Sequence, residues 1–305
     1  NSMRITTPQL TAMMHGSMNT NAARLGKLMQ QMATGDRMLV PSDDPIASVR
    51  VLRIQREEAS LAQYRDNIAN LTSSLSKQES NLQAASETML RVQDLLLWAA
   101  NLGANARDDL VAIGSELDTL KETILSFANV RDEEGRYLFS GTQTDRPAII
   151  FDGTQYILGG NDKYRQAAVA NGVLLDENVT ATQVFGANVD LLNELHDLVA
   201  TLQDPAFDVN DPAVGAKISQ TLETLDRTYR NLQGAMTELG GRYNSLELLD
   251  ETNADFSLVN QKIEGELTAL DYASASIDLN NYLLALNATQ KTYIRINDMS
   301  LFNQL

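Results

Sequence analysis

The sequence predicts a mainly α protein with a small β-rich insertion, arranged as a long antiparallel coiled-coil-like helix bundle formed by both ends of the chain. Three observations carry that prediction. Apolar residues recur at alternating spacings of three and four through both terminal thirds, the period of a helix packed along one stripe. Residues 136–186 instead are rich in Gly, Thr, Val and Tyr and are broken by turn signals such as "DGT" and "GGND". The outermost segments each carry one apolar stripe among few charges, and neither would bury enough surface alone, so the two ends must pair.

The first helix keeps a heptad through Met14, Met18, Ala22, Leu25, Met29 and Met32, with methionine and small residues in place of leucine. Gly35 stands where a C-cap glycine belongs. Asp44 followed by Pro45 is a helix start, the acid capping free N–H groups and the proline taking the first helical position. From there a seam runs through Leu61, Tyr64, Ile68, Leu71, Leu75, Gln78, Leu82, Ala85, Met89, Val92 and Leu96, interrupted only by Gln78. Extended back to Ile46, it predicts one helix of roughly 55 residues, about 80 Å long.

After a break at "NLGANARDD", residues 101–109, a shorter helix carries Leu110, Ile113, Leu117, Leu120, Ile124 and Phe127. The insertion follows, with "AIIF", "QYIL" and "RQAAV" as its strand-like runs, and then the helix "VDLLNELHDLVATLQ". The last long helix holds Ile218, Leu222, Leu225, Tyr229, Leu232, Met236, Leu239, Tyr243 and Leu246; Gly240 and Gly241 suggest a kink or a close helix contact rather than a stop. Its seam is expected to resume at Phe256, Val259, Ile263, Leu270 and Ile277. Leu279, Leu283, Leu286, Tyr293 and Ile296 give the final stripe. The division expected is a discontinuous terminal assembly domain (residues 3–44 and 272–305), a discontinuous rod-like bundle (45–136 and 187–271) and an outer β-rich insertion (137–186).

Composition narrows the function. With 24 basic and 40 acidic residues the formal charge is −16, which opposes phosphate backbones and anionic lipid, so no nucleic-acid partner is expected. Without cysteine there is no disulfide, thiolate nucleophile or thiolate metal site, and His15 and His196 are too few for a multi-histidine centre. No cofactor or metal is therefore expected. The longest apolar run, Leu95–Ala100, is too short for membrane insertion, and the N-terminus lacks an apolar core of signal-peptide length.

The adjacent acids Asp43 and Asp44 admit two readings. They could serve as general acid and base or as ligands of a hard cation in a metal-dependent hydrolase. They could equally cap a helix and clamp a loop, with Arg37 pairing to Asp43; this reading is favoured, because no histidine or second acid cluster converges nearby in sequence. His15 is expected on the face of the first helix and His196 in solvent. "RDEEGR", residues 131–136, reads as a solvated helix end, and Gly159-Gly160 as a hairpin turn. Trp98 and the seam tyrosines are expected in core or interface packing.

"MATGDRMLVPSDDPIA", residues 32–47, resembles the N-terminal signature of the flagellin superfamily, and its Pro-Ser-Asp-Asp-Pro form is similar to the hook-associated branch. "MRITTPQL", "RYLFSGTQTDRPAI" and the C-terminal "LNNYLLALNATQKTYIRINDMSLFNQL" resemble segments of the same branch. The resemblance implies a non-enzymatic component of the extracellular flagellum, an adaptor packed by its helices in a ring. Its implied partners are neighbouring copies, a hook-associated junction protein on the hook side, flagellin on the filament side and a cytoplasmic export chaperone. Export would use the flagellar type III channel with no cleaved signal peptide. A filament-forming flagellin is the alternative. The assembly stripes expected are Met14, Met18, Leu25, Met29 and Met32 with Leu279, Leu283, Leu286, Ile296 and Leu301; the expected hinge is Gly35, Arg37, Asp43 and Asp44.

Overall fold

The computed structural model describes residues 7–102 and 106–303. The first residues of "MRITTPQL", the middle of the break at 101–109 and the last two residues of the C-terminal motif lie outside them. Seven helices and four short strands follow one another in the described chain. The helices are α1 (Thr7–Thr34), α2 (Pro45–Ala100), α3 (Arg107–Ala128), α4 (Ala181–Phe185), α5 (Asp190–Gln203), α6 (Pro212–Thr268) and α7 (Tyr272–Asn303). The strands β1 (Ile149–Phe151), β2 (Tyr156–Leu158), β3 (Gln166–Ala170) and β4 (Val173–Asp176) lie between α3 and α4. Contacts divide the chain into two units, residues 1–60 with 255–305, and residues 61–254.

The second unit holds the core. Along α2 every seam residue from Leu61 to Leu96 is buried except the half-buried Tyr64. On α6 the same heptad position recurs at Leu232, Leu239 and Leu246, all buried. Leu110, Ile113, Leu117 and Ile124 of α3 pack on α5, whose buried face is Leu191, Leu195, Leu198 and Leu202. Gly114 permits that approach, since a Cβ there would lie 3.1 Å from the Leu202 Cβ.

Gln78, the interruption in the α2 seam, has a structural reason. Its side chain is wholly buried, donating to the Glu177 carbonyl (2.8 Å) and accepting from the Val179 N–H (3.2 Å). Buried backbone must find partners, and here helix side chains supply them. Asn129 bonds both the N–H and the C=O of Ile149, and Asn193 does the same for Tyr156. The β1–β2 ladder is antiparallel with Ile150 opposite Ile157. The β3–β4 ladder turns at Asn171-Gly172 and bulges between Ala168 and Ala170. Asn67 and Asn253 donate to the Ala168 and Val169 carbonyls.

Several sequence expectations need correction. Gly159-Gly160 is not a hairpin turn; it follows β2 and presses on backbone, so that a Cβ on Gly160 would lie 2.5 Å from the Ser140 carbonyl oxygen. Gly240 and Gly241 sit inside an unbroken α6 with nothing within 4 Å of an added Cβ, so no close helix contact explains them. His196 is half-buried, its Nδ1 3.3 Å from the buried Lys121 ammonium and its ring against Phe151 and Tyr156. Trp98 is exposed, which removes the core half of the core-or-interface expectation. Phe256 and Val259 are exposed too, because the α6 heptad continues through the buried Asn253 and Asn260 instead; Ile277, also exposed, lies past the end of that helix, on α7.

Candidate assembly interface

The joint in the first unit begins where α1 ends. Gly35 takes a left-handed conformation (φ +76°) and its N–H closes the helix on the Gln31 carbonyl at 2.8 Å. A side chain at Gly35 would be strained, and its Cβ would stand 3.2 Å from the Tyr272 hydroxyl. That hydroxyl donates to the Met32 carbonyl at 3.1 Å.

The chain leaving α1 then pairs with the chain leaving α6. Arg37 N–H donates to the Thr268 carbonyl (2.6 Å), Leu270 N–H donates to the Gly35 carbonyl (3.0 Å), and Asp36 and Ala269 form an antiparallel bridge. The Arg37 guanidinium adds bonds from Nη2 (2.9 Å) and Nε (3.3 Å) to the Leu267 carbonyl. Loop residues 35–37 are thus tied to residues 267–272 across most of the sequence. The return strand was invisible in sequence, because nothing local to "ELTALD" announces a partner 230 residues away.

The two acids have separate tasks. Arg37 pairs with Asp44 (3.0 Å), not with Asp43, and Asp44 accepts from the Ala47 N–H (3.1 Å) as the cap of α2, with Pro45 at its first position. Asp43 pairs with Lys27 of α1 (2.7 Å) and accepts the N–H groups of Leu39 and Val40. The Lys27 hydrogen bond, reinforced by those two N–H groups, holds the Asp43 carboxyl down at about 2. The Ala47 N–H and then Arg37 lower that of Asp44. Carboxylates held in the charged form and committed to five donors make poor proton carriers, and among the described residues no group of three metal-ligating side chains occurs. Asp271 repeats the device on the returning chain, capping α7 through Ser274 and Ala273.

Beyond the joint α1 and α7 pack along each other. Leu28 and Ala275 are their buried residues, flanked by half-buried Met14, Met18, Leu25 and Met32 on α1 and Leu279, Tyr282, Leu286, Tyr293 and Ile296 on α7. His15 bonds the Tyr293 hydroxyl at 3.0 Å across the pair. The α1 stripe thus runs Met14, Met18, Asn21, Leu25, Leu28 and Met32, one residue away from the expected phase at two places. Ala22, Met29, Leu283 and Leu301 are exposed.

Two chain ends that pair as helices, a clamped joint, a long helical core and a small β-rich insertion define a helical assembly subunit of the flagellin type. A family model described as the bacterial flagellin N-terminal helical region matches residues 5–144. A solved structure from Vibrio parahaemolyticus, described as a flagellar hook-associated protein, is 38% identical, with a TM-score of 0.67 over 74% of this chain and 100% of that one. Flagellar hook-associated protein 3 of Escherichia coli (strain K12) is 26% identical over 94% of this chain and 93% of its own length. Its namesake in Salmonella typhimurium (strain LT2) is 26% identical over 98% and 99%. The chain belongs to the flagellar hook-associated proteins of the flagellin superfamily. It is a structural component of the bacterial flagellum, associated there with other flagellar proteins.

Proposed function

We propose that this chain is the adaptor between hook and filament, packed by its helices in a ring with neighbouring copies. A hook-associated junction protein lies on one side and flagellin on the other. The observation that carries this reading is the extent of the likeness: relatives called hook-associated protein 3 match the chain nearly end to end. The physical support is the uneven burial. The unit of residues 61–254 has a large apolar core, whereas the α1–α7 pair is lean and leaves Met13, Met29, Leu284, Met299, Leu301 and Phe302 in solvent. Such helices gain most of their order when neighbours cover them.

The functional division remains the one read from sequence: residues 3–44 and 272–305 assemble, 45–136 and 187–271 form the rod, and 137–186 faces outward. Met14, Met18, Leu25, Met32, Leu279, Leu286 and Ile296 hold the terminal pair together, while Met29, Leu283 and Leu301 meet neighbours. Gly35, Arg37, Asp43 and Asp44 form the hinge. Export without a cleaved signal, with a chaperone guarding the terminal helices, follows from the same reading. The test is electron microscopy of a motile bacterium lacking its own protein of this family. Expression of this chain should restore filaments to hooks that lack them, and bare hooks with flagellin shed into the medium despite expression would overturn the proposal. Purified chain that polymerises alone into long filaments would favour a flagellin instead.

A further inference from the structure

The joint carries an open groove of about 370 Å³ lined by Met38, Leu39, Val51 and Leu52, with Asp36 and Glu264 among its walls. Leu52 is half in solvent, at 52% exposure. The ion pairs described in this unit are Lys27–Asp43 and Arg37–Asp44, so among the described residues no cation pairs with the acids of the groove. Glu264 accepts one neutral amide hydrogen, from Gln55 at 3.1 Å.

A matching surface lies on α7. At 100° per residue, Leu284, Lys291, Arg295 and Phe302 share one line along the helix, opposite the side formed by Leu279, Leu286 and Tyr293 that packs on α1. Leu284 and Phe302 are 67% and 80% exposed, and Met299 beside them is 65% exposed. Lys291 and Arg295 are the basic residues of α7, one turn apart. The stripe therefore carries two cations, Lys291 and Arg295, with one acid, Asp298, beside them, net positive between apolar residues, and the groove is anionic and apolar.

The same chain cannot make this contact. α7 starts at the joint, and Lys291 to Phe302 lie roughly 30 to 45 Å further along its axis. We infer that the groove receives the distal outward face of α7, residues 291–302, from a second copy of this chain. Lys291 and Arg295 meet Asp36 and Glu264, and Met299 and Phe302 enter the apolar floor. A contact between two different patches of one chain is head-to-tail, and repeated it generates a ring or an open helix rather than a closed pair. The inference rests on the ring reading above and names the surfaces that would build the ring.

The absence of cysteine in the chain makes the test clean. Full-length Leu52→Cys/Met299→Cys is expressed in place of the corresponding protein of a motile bacterium, and its flagella are isolated and oxidised. A disulfide-linked ladder extending beyond dimer, absent from each single variant, is expected. Charge reversal adds a second readout: Arg295→Glu and Glu264→Lys should each cut swarming-ring area at least tenfold, and the double variant should restore it. Both positions are solvent-facing or half-exposed, and far-UV circular dichroism of the purified chains checks that each variant folds. If the unaltered chain fails to restore filaments, the adaptor reading fails. If it restores them but the double-cysteine chain yields no ladder or stops at dimer, the head-to-tail contact is wrong. Single reversals that swim normally, or a double variant no better than either, also overturn it.

Discussion

Leu28→Ala isolates the terminal pair from the rest of the molecule. Leu28 is the buried side chain of α1, at 6% exposure, whereas its neighbour Met29 is 58% exposed. Truncating a leucine in a tight core costs about 2 to 5 kcal/mol, the spread reflecting how well the site collapses. Here the surroundings are half-exposed side chains that can close over the gap, so the low end applies, about 2 kcal/mol. That is roughly a 30-fold rise in the opening equilibrium of the pair, at 1.4 kcal/mol per tenfold. Amide hydrogen exchange of the full-length monomer is the assay, because it reads local opening element by element. Amides of α1 and α7 should exchange about 30-fold faster in Leu28→Ala, while those of α3 and α5 keep their rates. Met29→Ala should leave all of them unchanged and show its effect only in filament restoration. Equal acceleration by both substitutions, or by neither, would refute a pair held along the Leu28 register. Exchange at unprotected rates in the unaltered chain would place the pairing in the assembled state alone.

Other substitutions test the remaining devices. Asp43 has a depressed carboxyl, so its contribution to the joint is complete above the usual 3.8 and is lost as pH falls through about 2; carbon NMR of that carboxyl should titrate near 2, and near-normal titration would remove its bond to Lys27. Gln78→Leu should lower stability by about 2 to 4 kcal/mol in urea denaturation although it perfects the heptad, because the Glu177 carbonyl and Val179 N–H lose their partner. Gly240→Ala and Gly241→Ala should each raise stability by about 0.5 to 1 kcal/mol, since both lie in a helix with room for a methyl. Gly160→Ala should do the reverse and disrupt the insertion, seen as fast exchange of the β1 and β2 amides.

The parts of the fold legible in the sequence are those where one side-chain type marks one environment. The α2 seam could be followed from Leu61 to Leu96 because apolar residues occupy it almost without exception. Reading failed where two apolar residues are adjacent, as at Leu28 and Met29, because periodicity then fits two phases equally and only packing chooses. It failed again where the buried position is polar. Gln78 reads as an interruption, yet with Asn67 it ties the insertion to α2. In the joint, helix stop and start were legible at Gly35 and Asp44-Pro45, since capping depends on near neighbours. The partners that clamp it, Leu267, Thr268 and Tyr272, depend on chain return, and no local signal carries that.

The heptad position of α6 carries the last step of the argument. It is filled in turn by Leu232, Leu239, Leu246, Asn253 and Asn260, all buried. The helix does not change face; the residues on the face change from leucine to asparagine. Asn253 spends its amide on the Val169 carbonyl, and Asn260 gives its own to Glu58. Over the same turns Phe256, Leu258 and Val259 point to solvent. Polar inside and apolar outside is the reverse of what a helix stable by itself would choose, since each exposed leucine forgoes roughly 1.5 to 3 kcal/mol of burial. The inversion is explained if these outward residues are covered by neighbours, with the inner asparagines fixing register at a modest cost in stability. On that account the lean terminal pair and the inverted stretch of α6 express one property, a unit whose apolar surface is reserved for other subunits.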